Sequence, residues 1–369
     1  MSKAVLFVTN GHGEAAIAAR IAQELRALAP LRTEHLALVG ERLGGEQFVD
    51  VGPQRAMPSG GLVAMGNVRA FARDVGSGFF ALFARQLAFL HGARARYAAA
   101  VAVGDAFACA MTRAARLPIV FVGTAKSVYV ARYGPGERRI LRGARRIFVR
   151  DAATAVDLRA HGVPAEAPGN VIVDLATSAD REHPSTGSGQ GVDWHAPVRL
   201  ALLPGSRERA YADAERLAAV VATLRARGVP LDAVLSVAPN LDPRGFAPAL
   251  ERGGLRPWGG PLGGLLGDAT LALGQSGTAN EAAAAHGVPV VALALEGAPR
   301  EGWYRKRQQG LLGEALLVVP GEIDAATEAI RALLADGPRR ARMSAIGRER
   351  MGMPGGARAI AEAIAELAA

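Results

Sequence analysis

Two kinds of residue in this chain are spaced for chemistry: acid–base groups near its start and small-residue loops suited to phosphate farther on. In Thr9-Asn10-Gly11-His12-Gly13-Glu14, a glycine-flanked histidine leaves an apolar run at 4–8 and enters a helical pattern over 14–29. An imidazole titrates near neutrality, so His12 is suited to take a proton from a hydroxyl group. Asp105 follows a second apolar run, 99–103, and is a rival base, an orienter of His12, or the N-cap of a helix read over 105–116. Asn10, Gly11, Gly13 and Glu14 shape the same loop, with Glu14 suited either to cap the first helix or to contact an acceptor.

Two loops in the second half have another character. "LLPGSRER" places Gly205, Ser206 and Arg207 between a strand pattern and a helix pattern. "GQSGTANE" places Ser276, Gly277 and Thr278 in a similar position, before a helix read as starting near Asn280, with Glu281 in its first turn. Small residues leave backbone N–H groups accessible at a helix start, where the dipole favours anions. An arginine there can pair with phosphate, and Glu281 is placed to accept from ribose hydroxyls. The plain alternative for each loop is ordinary helix capping. Two such loops in one domain favour a nucleotide diphosphate over either loop alone.

The elements that must carry these loops alternate. Strand patterns fall at 4–8, 35–39, 99–103, 118–122 and 145–149, then at 198–203, 232–237, 269–273, 288–293 and 315–319. Helix patterns fall at 14–29, 68–96, 105–116, 151–161, 208–227, 278–286, 323–335 and 338–348. Short, continuously apolar strands separated by helices predict α/β architecture with parallel sheets flanked by helices. The polar, Gly/Ser/Pro-rich stretch 177–197 reads as a linker or surface loop. The predicted organisation is therefore two Rossmann-like domains facing across a cleft, 1–176 and 198–350, with a terminal helix in 351–369 that could pack back on the first domain.

Composition sets limits. The 369 residues are 50% hydrophobic but only 5% aromatic, so Ala, Leu and Val must build the core. The single cysteine, Cys109, excludes an internal disulfide and reads as an inert core thiol. A formal net charge of +9 favours an anionic partner, but no zinc finger, basic arm or aromatic RNA-binding signature is present, so nucleic acid is not expected. The opening apolar run is too short for a signal peptide, and no stretch offers about 18 uninterrupted apolar residues. A cytoplasmic location is expected.

"LALLPGSRERAYADAERLAAVV" and "GQSGTANEAAAAHGVPVV", in this order and at this separation, resemble the lipid-A-disaccharide synthase family, glycosyltransferase family 19. Residues 125–174, ending in Gly169-Asn170-Val171-Ile172-Val173-Asp174, are similar to that family's middle stretch. The opening loop departs from it: the family begins Gly-Glu-x-Ser-Gly-Asp, whereas a glycine-flanked histidine is a feature of peptidoglycan and galactolipid glycosyltransferases. The central "VGDAFACAM" keeps only Asp105 and Phe107 of the family's Asp-x-Pro-Asp-Phe. The resemblance implies a GT-B fold, a UDP-sugar donor bound mainly by the second domain, an acceptor bound mainly by the first, and no metal or separate cofactor. It also implies that Gln308 and Gln309, in "YRKRQQGLL", contact the donor sugar. Because the family's substrates are lipids, residues 67–97, which mix Phe and Leu with Arg69, Arg73, Arg85, Arg94 and Arg96, are expected to lie on an anionic membrane surface unless they simply pack on their own sheet. Peripheral attachment to the inner face of the cytoplasmic membrane would follow.

An inverting glycosyltransferase is the leading reading. A sugar-nucleotide epimerase or hydrolase, and a non-catalytic nucleotide-sugar binder, are the alternatives. An NAD-dependent dehydrogenase rests only on Gly11, Gly13 and Ala16, and Glu41 lies farther along than the roughly 20 residues that motif requires.

Overall fold

The computed structural model describes residues 4–39, 48–54, 78–177, 197–206, 209–294 and 299–369. The chain divides into two compact units, Met1–Asp174 with Met353–Ala369, and Leu175–Gly352. Each unit has one parallel sheet flanked by helices.

Among the described residues, the first unit holds seven strands: β1 (Ala4–Thr9), β2 (Arg32–Ala37), β3 (Val49–Asp50), β4 (Tyr97–Gly104), β5 (Ile119–Gly123), β6 (Arg146–Val149) and β7 (Ala165–Glu166), in the order β3-β2-β1-β4-β5-β6-β7. The second, again among the described residues, holds six: β8 (Val198–Leu203), β9 (Leu231–Ser236), β10 (Arg256–Trp258), β11 (Leu271–Gly274), β12 (Val290–Leu293) and β13 (Leu316–Val319), in the order β10-β9-β8-β11-β12-β13. Strand order reverses direction between β1 and β4 in one sheet and between β8 and β11 in the other. Loops leaving the carboxyl ends of strands at such a reversal splay apart, one helix going to each face of the sheet, and leave room for a ligand. All four loops singled out from sequence leave these four strands.

Helix α1 (His12–Leu28) packs because Ala15, Ala18, Ile21, Ala22 and Leu25 repeat at helical spacing and are fully or nearly fully buried. The terminal helix Gly356–Ala368 buries Ala357, Ile360, Ala361 and Ile364 in the same way and packs on α1 and β4. Its start is held by a residue far away in sequence. Asp174 Oδ1 accepts from Gly355 N at 2.6 Å, and Oδ2 accepts from Ala357 N at 2.7 Å. Asn170 N donates to Met353 O at 2.9 Å, and the Asn170 side chain accepts from Ile172 N. The Gly-Asn-x-x-x-Asp turn noted in the sequence thus builds the seam where the chain leaves this unit and re-enters it. A Cβ on Gly169 or Gly356 would strike the other's backbone, so both must be glycine. Asp174→Asn keeps one acceptor and turns an N–H donor toward a backbone N–H. We expect it to cost about 1–3 kcal/mol, lowering the melting temperature by about 2–4 °C for each kcal/mol, measurable by calorimetry.

Several boundaries differ from expectation. The helix read over 68–96 is observed as Phe79–His91, followed by a 3-10 turn at Gly92–Ala95; residues 55–77 lie outside the described residues. Gly78, with φ +90°, starts it. Its apolar face is occupied by its own unit: Leu82 and Leu90 are buried, and Phe83, Leu87 and Phe89 pack on the same core. That corrects the membrane-facing reading for this part of 67–97; among its described side chains only Phe80, 61% exposed, points outward as a large apolar group. The helix read over 105–116 is Ala106–Thr112 plus a 3-10 turn. Cys109 is buried and its thiol is pushed up to about 12 by desolvation, which suits a core residue and not a nucleophile. Of the linker 177–197, residues 178–196 lie outside the described residues. No helix among the described residues is long and apolar enough to cross a membrane.

Candidate functional site

In the second unit, the loop after β8 and the loop after β11 touch. Gly205 has φ +111°, a conformation that favours glycine, and a Cβ there would lie 3.5 Å from Ser276 Cβ. Gln275 N donates to Leu203 O at 2.9 Å, which ties the two strand ends together. Asn240, from the loop after β9, donates to Ser206 O at 2.8 Å.

Ser276 is the N-cap of the helix Gly277–Ala285, with extended backbone, and its side chain makes no capping hydrogen bond. Ser276 thus leaves the first N–H groups of that helix uncapped by its own side chain, and the dipole adds partial positive charge there. Such an arrangement of backbone donors is chemically suited to an anion. Thr278 is exposed at its edge and Ser206 is exposed on the facing loop. Arg207 lies outside the described residues.

Two expectations change here. The helix begins at Gly277, not near Asn280, because Gly277 and Thr278 already adopt helical conformation; Glu281 is its fifth residue and lies beyond the first turn. Gln308 is only 5% exposed, and both ends of its amide are engaged. Its Nε2 donates to Ser276 O at 3.1 Å and to Gly277 O at 3.3 Å. Its Oε1 accepts from Asn280 Nδ2 at 3.2 Å and from Arg305 Nη1 at 3.3 Å. The side chain fastens the Ser276–Gly277 turn from within the protein. Gln309, next to it on the helix Pro299–Leu312, is exposed.

Asn280 and Arg305 were missed by the sequence reading. Asn280 is fully buried in an alanine-rich helix, and its Nδ2 also donates to Gly274 O at 3.3 Å. A Cβ on Gly274 would overlap the Asn280 side chain. The available signal was a polar residue at the core-facing spacing of that helix.

In the first unit, β1 and β4 end side by side. Asn10 Nδ2 donates to Asp105 Oδ2 at 3.2 Å. Asp105 Oδ1 accepts from Ala108 N at 3.0 Å, so this carboxylate caps the helix Ala106–Thr112 and orients Asn10. Gly104, with φ +135°, lies between them; a Cβ there would sit 3.3 Å from Glu14 Cγ and 3.7 Å from Asn10 Cβ. Gly11 is the N-cap of α1 and Glu14 its third residue. A Cβ on Gly11 would come within 2.5 Å of Glu14 Oε2, so the carboxylate folds back over the glycine at the helix start. His12 is the first residue of α1; its side chain lies outside the described residues. Gly13 follows, half-buried. The structure thus gathers Asn10, Gly11, Glu14 and Asp105 at one sheet reversal, and Gly205, Ser206, Ser276, Gly277 and Thr278 at the other. Among the described residues, no three His, Cys, Asp or Glu side chains converge as a metal site would require.

No protein-family model matches the chain, and no curated protein sequence does. Solved structures do, over its whole length. MurG from Acinetobacter baumannii is 15% identical, with 99% of each chain covered and a TM-score of 0.58. UGT2 from Phytolacca americana, complexed with UDP-2-fluoro-glucose and pterostilbene, is 14% identical, with all of each chain covered and a TM-score of 0.62. A UDP-GlcNAc 2-epimerase from Neisseria meningitidis, bound to UDP-GlcNAc, is 14% identical, with 99% of each chain covered and a TM-score of 0.55. At these identities the likeness is one of fold: paired parallel-sheet domains of the GT-B type.

Proposed function

We propose that this chain is a metal-independent, inverting glycosyltransferase that takes a sugar from a UDP-sugar held by the second unit and passes it to an acceptor held by the first. The observation that carries this reading is the uncapped helix start at Ser276–Gly277, set against Gly205 at the reversal of the second sheet. Backbone donors there suit a diphosphate, and they would stabilise the charge that develops on UDP as it leaves. His12, at the start of α1, is the base assigned to the acceptor hydroxyl. Both oxygens of Asp105 already accept hydrogen bonds within the protein, which favours an orienting role for it.

The acceptor is proposed to be lipid-linked, on the resemblance of residues 125–174 and the two second-half loops to the lipid-A-disaccharide synthase family. Membrane association would then use residues 67–78 together with the exposed Phe80.

Thermal shift against UDP, UDP-sugars and NAD tests the donor. Ligand at 100 times its Kd adds about 2.7 kcal/mol to stability. UDP and UDP-sugars are expected to raise the melting temperature and NAD to leave it unchanged; stabilisation by NAD alone would overturn the assignment.

An epimerase is the second reading, favoured by two carboxylates near Gly104: Asp105, the next residue, and Glu14, whose Cγ lies 3.3 Å from where a Cβ on Gly104 would sit. It separates cleanly: an epimerase converts a UDP-sugar with no acceptor present, whereas a transferase leaves it intact until an acceptor is added. Mass spectrometry with and without candidate lipid acceptors reads this directly.

A further inference from the structure

Next to the Asn10–Gly11 turn, two buried polar side chains, Thr9 and His35, and the half-buried Asp50 form a continuous hydrogen-bonded chain that the proposed reaction does not use. His35, in β2, is completely buried. Its Nδ1 lies 2.9 Å from Asp50 Oδ1, on β3, and its Nε2 lies 2.9 Å from Thr9 Oγ1, on β1. A carboxylate only accepts, so Nδ1 carries the proton. Burial lowers the imidazole pKa below its ordinary value, against the opposing pull of Asp50, the one charged group acting on the ring among the described residues. The ring is therefore neutral, its Nε2 is an acceptor, and the Thr9 hydroxyl donates to it. The face of the ring stacks on Phe48 at 5.1 Å.

These residues are 26 and 15 positions apart in sequence. Parallel register sets His35 opposite Asp50 on one side and Phe7 on the other; Thr9, two residues beyond Phe7 and opposite Ala37, meets the ring diagonally from the same face of the sheet. Thr9 is the last residue of β1 and is fully buried. Its carbonyl accepts from Leu38 N at 2.9 Å. Both its side chain and its backbone are thus fixed on the β2 side, immediately before Asn10 is fixed by Asp105 on the β4 side.

We propose that Asp50, His35 and Thr9 form a positioning chain that sets the direction in which β1 releases Asn10, Gly11 and His12. None of the three is placed to touch an acceptor; each acts through the next. A core without this chain would be simpler to build from apolar residues, since a buried polar group costs free energy unless fully partnered. Here every link is partnered and the chain ends at the sheet reversal. The chain's relevance to transfer rests on the proposed reading of this unit, but its geometry does not, and the test separates the two.

Thr9→Val removes the hydroxyl and keeps the shape, and Thr9→Ser restores the hydroxyl. In the full-length protein, hydrogen exchange of the peptide spanning 9–15 is expected to be at least 10-fold faster in Thr9→Val and within 2-fold of the parent in Thr9→Ser, with UDP affinity unchanged in both. Equal exchange in all three proteins, or equal acceleration in Val and Ser, would overturn the proposal. Nitrogen-15 NMR of the His35 ring is expected to show the neutral Nδ1–H tautomer at pH 7; an Nε2–H tautomer or a charged ring would also overturn it. If transfer is measured, kcat should fall at least 10-fold in Thr9→Val and recover in Thr9→Ser. Exchange and NMR as expected, with no transfer by the parent protein to any acceptor tried, would sink the transferase reading and leave the chain standing.

Discussion

Replacing His12 by alanine is expected to lower the rate of sugar transfer by about 10²–10⁴-fold, the usual contribution of a general base, while UDP binding is retained. The reasoning is positional. His12 is the first residue of α1, directly after a turn held on one side by Thr9 and on the other by the Asn10–Asp105 pair. The proposed donor site is built by the second unit and His12 belongs to the first, so donor affinity is not expected to register its loss. Steady-state kinetics with saturating donor, beside calorimetric titration of UDP, gives both numbers. Unchanged turnover would remove the histidine from the mechanism, and a parallel loss of UDP affinity would show that the substitution damages more than the base. Asp105→Asn provides the contrast. Asparagine keeps an oxygen for Ala108 N or for Asn10 but not the charge, so a smaller loss in kcat is expected than for His12→Ala.

The second large effect is expected at Gln308, where two roles make opposite forecasts. If Gln308 were a ligand of the donor sugar, its replacement by leucine would weaken UDP-sugar binding and leave UDP binding intact, because UDP lacks the transferable sugar. The geometry here makes another forecast. Gln308 donates to Ser276 O and Gly277 O and accepts from Asn280 and Arg305, and it is buried. Leucine would strand two carbonyls and the Asn280 amide, at a cost of about 1–3 kcal/mol. The helix-start N–H groups would lose their aim. UDP and UDP-sugar should therefore weaken together, by about 10-fold or more, while Gln309→Leu, on the exposed side, changes neither by more than about 2-fold. Loss confined to the sugar nucleotide would restore the ligand role.

The alternation of helix and strand was legible because the central strands are continuous apolar runs bounded by glycine and polar loops. The elements that escaped notice share a physical cause. Edge strands Val49–Asp50 and Ala165–Glu166 are too short to carry a pattern. The helix Pro299–Leu312 buries Arg305, Gln308, Leu311 and Leu312, so polar side chains occupy half of its inward face and erase the apolar stripe that normally reveals a helix. The site divides in the same way. Gly205, Ser206, Ser276 and Gly277 could be recognised because a loop's capacity to present backbone N–H groups is written in its small residues. Arg305 and His35 could not, and Asn280 only as a polar residue at a core-facing position, since what each does depends on partners supplied by another element. Glu281 was read one turn too early, because Gly277 and Thr278 look like loop residues yet are already helical.

The seam held by Asp174 has a consequence for how the protein is made. Its two hydrogen bonds join residues 181 and 183 positions apart, and the helix they initiate covers α1 and β4 of the first unit. Everything between them, Leu175–Gly352, belongs to the other unit. On the ribosome, the unit that begins the chain must therefore wait for its closing helix until the whole of its neighbour has been translated. The later unit is contiguous and can complete its core first. Until then the apolar faces of α1 and β4 that the closing helix will cover remain open, and at ordinary elongation rates of about 5–20 residues per second that interval lasts on the order of ten seconds or more. Chaperone demand during synthesis should concentrate on the amino-terminal sheet.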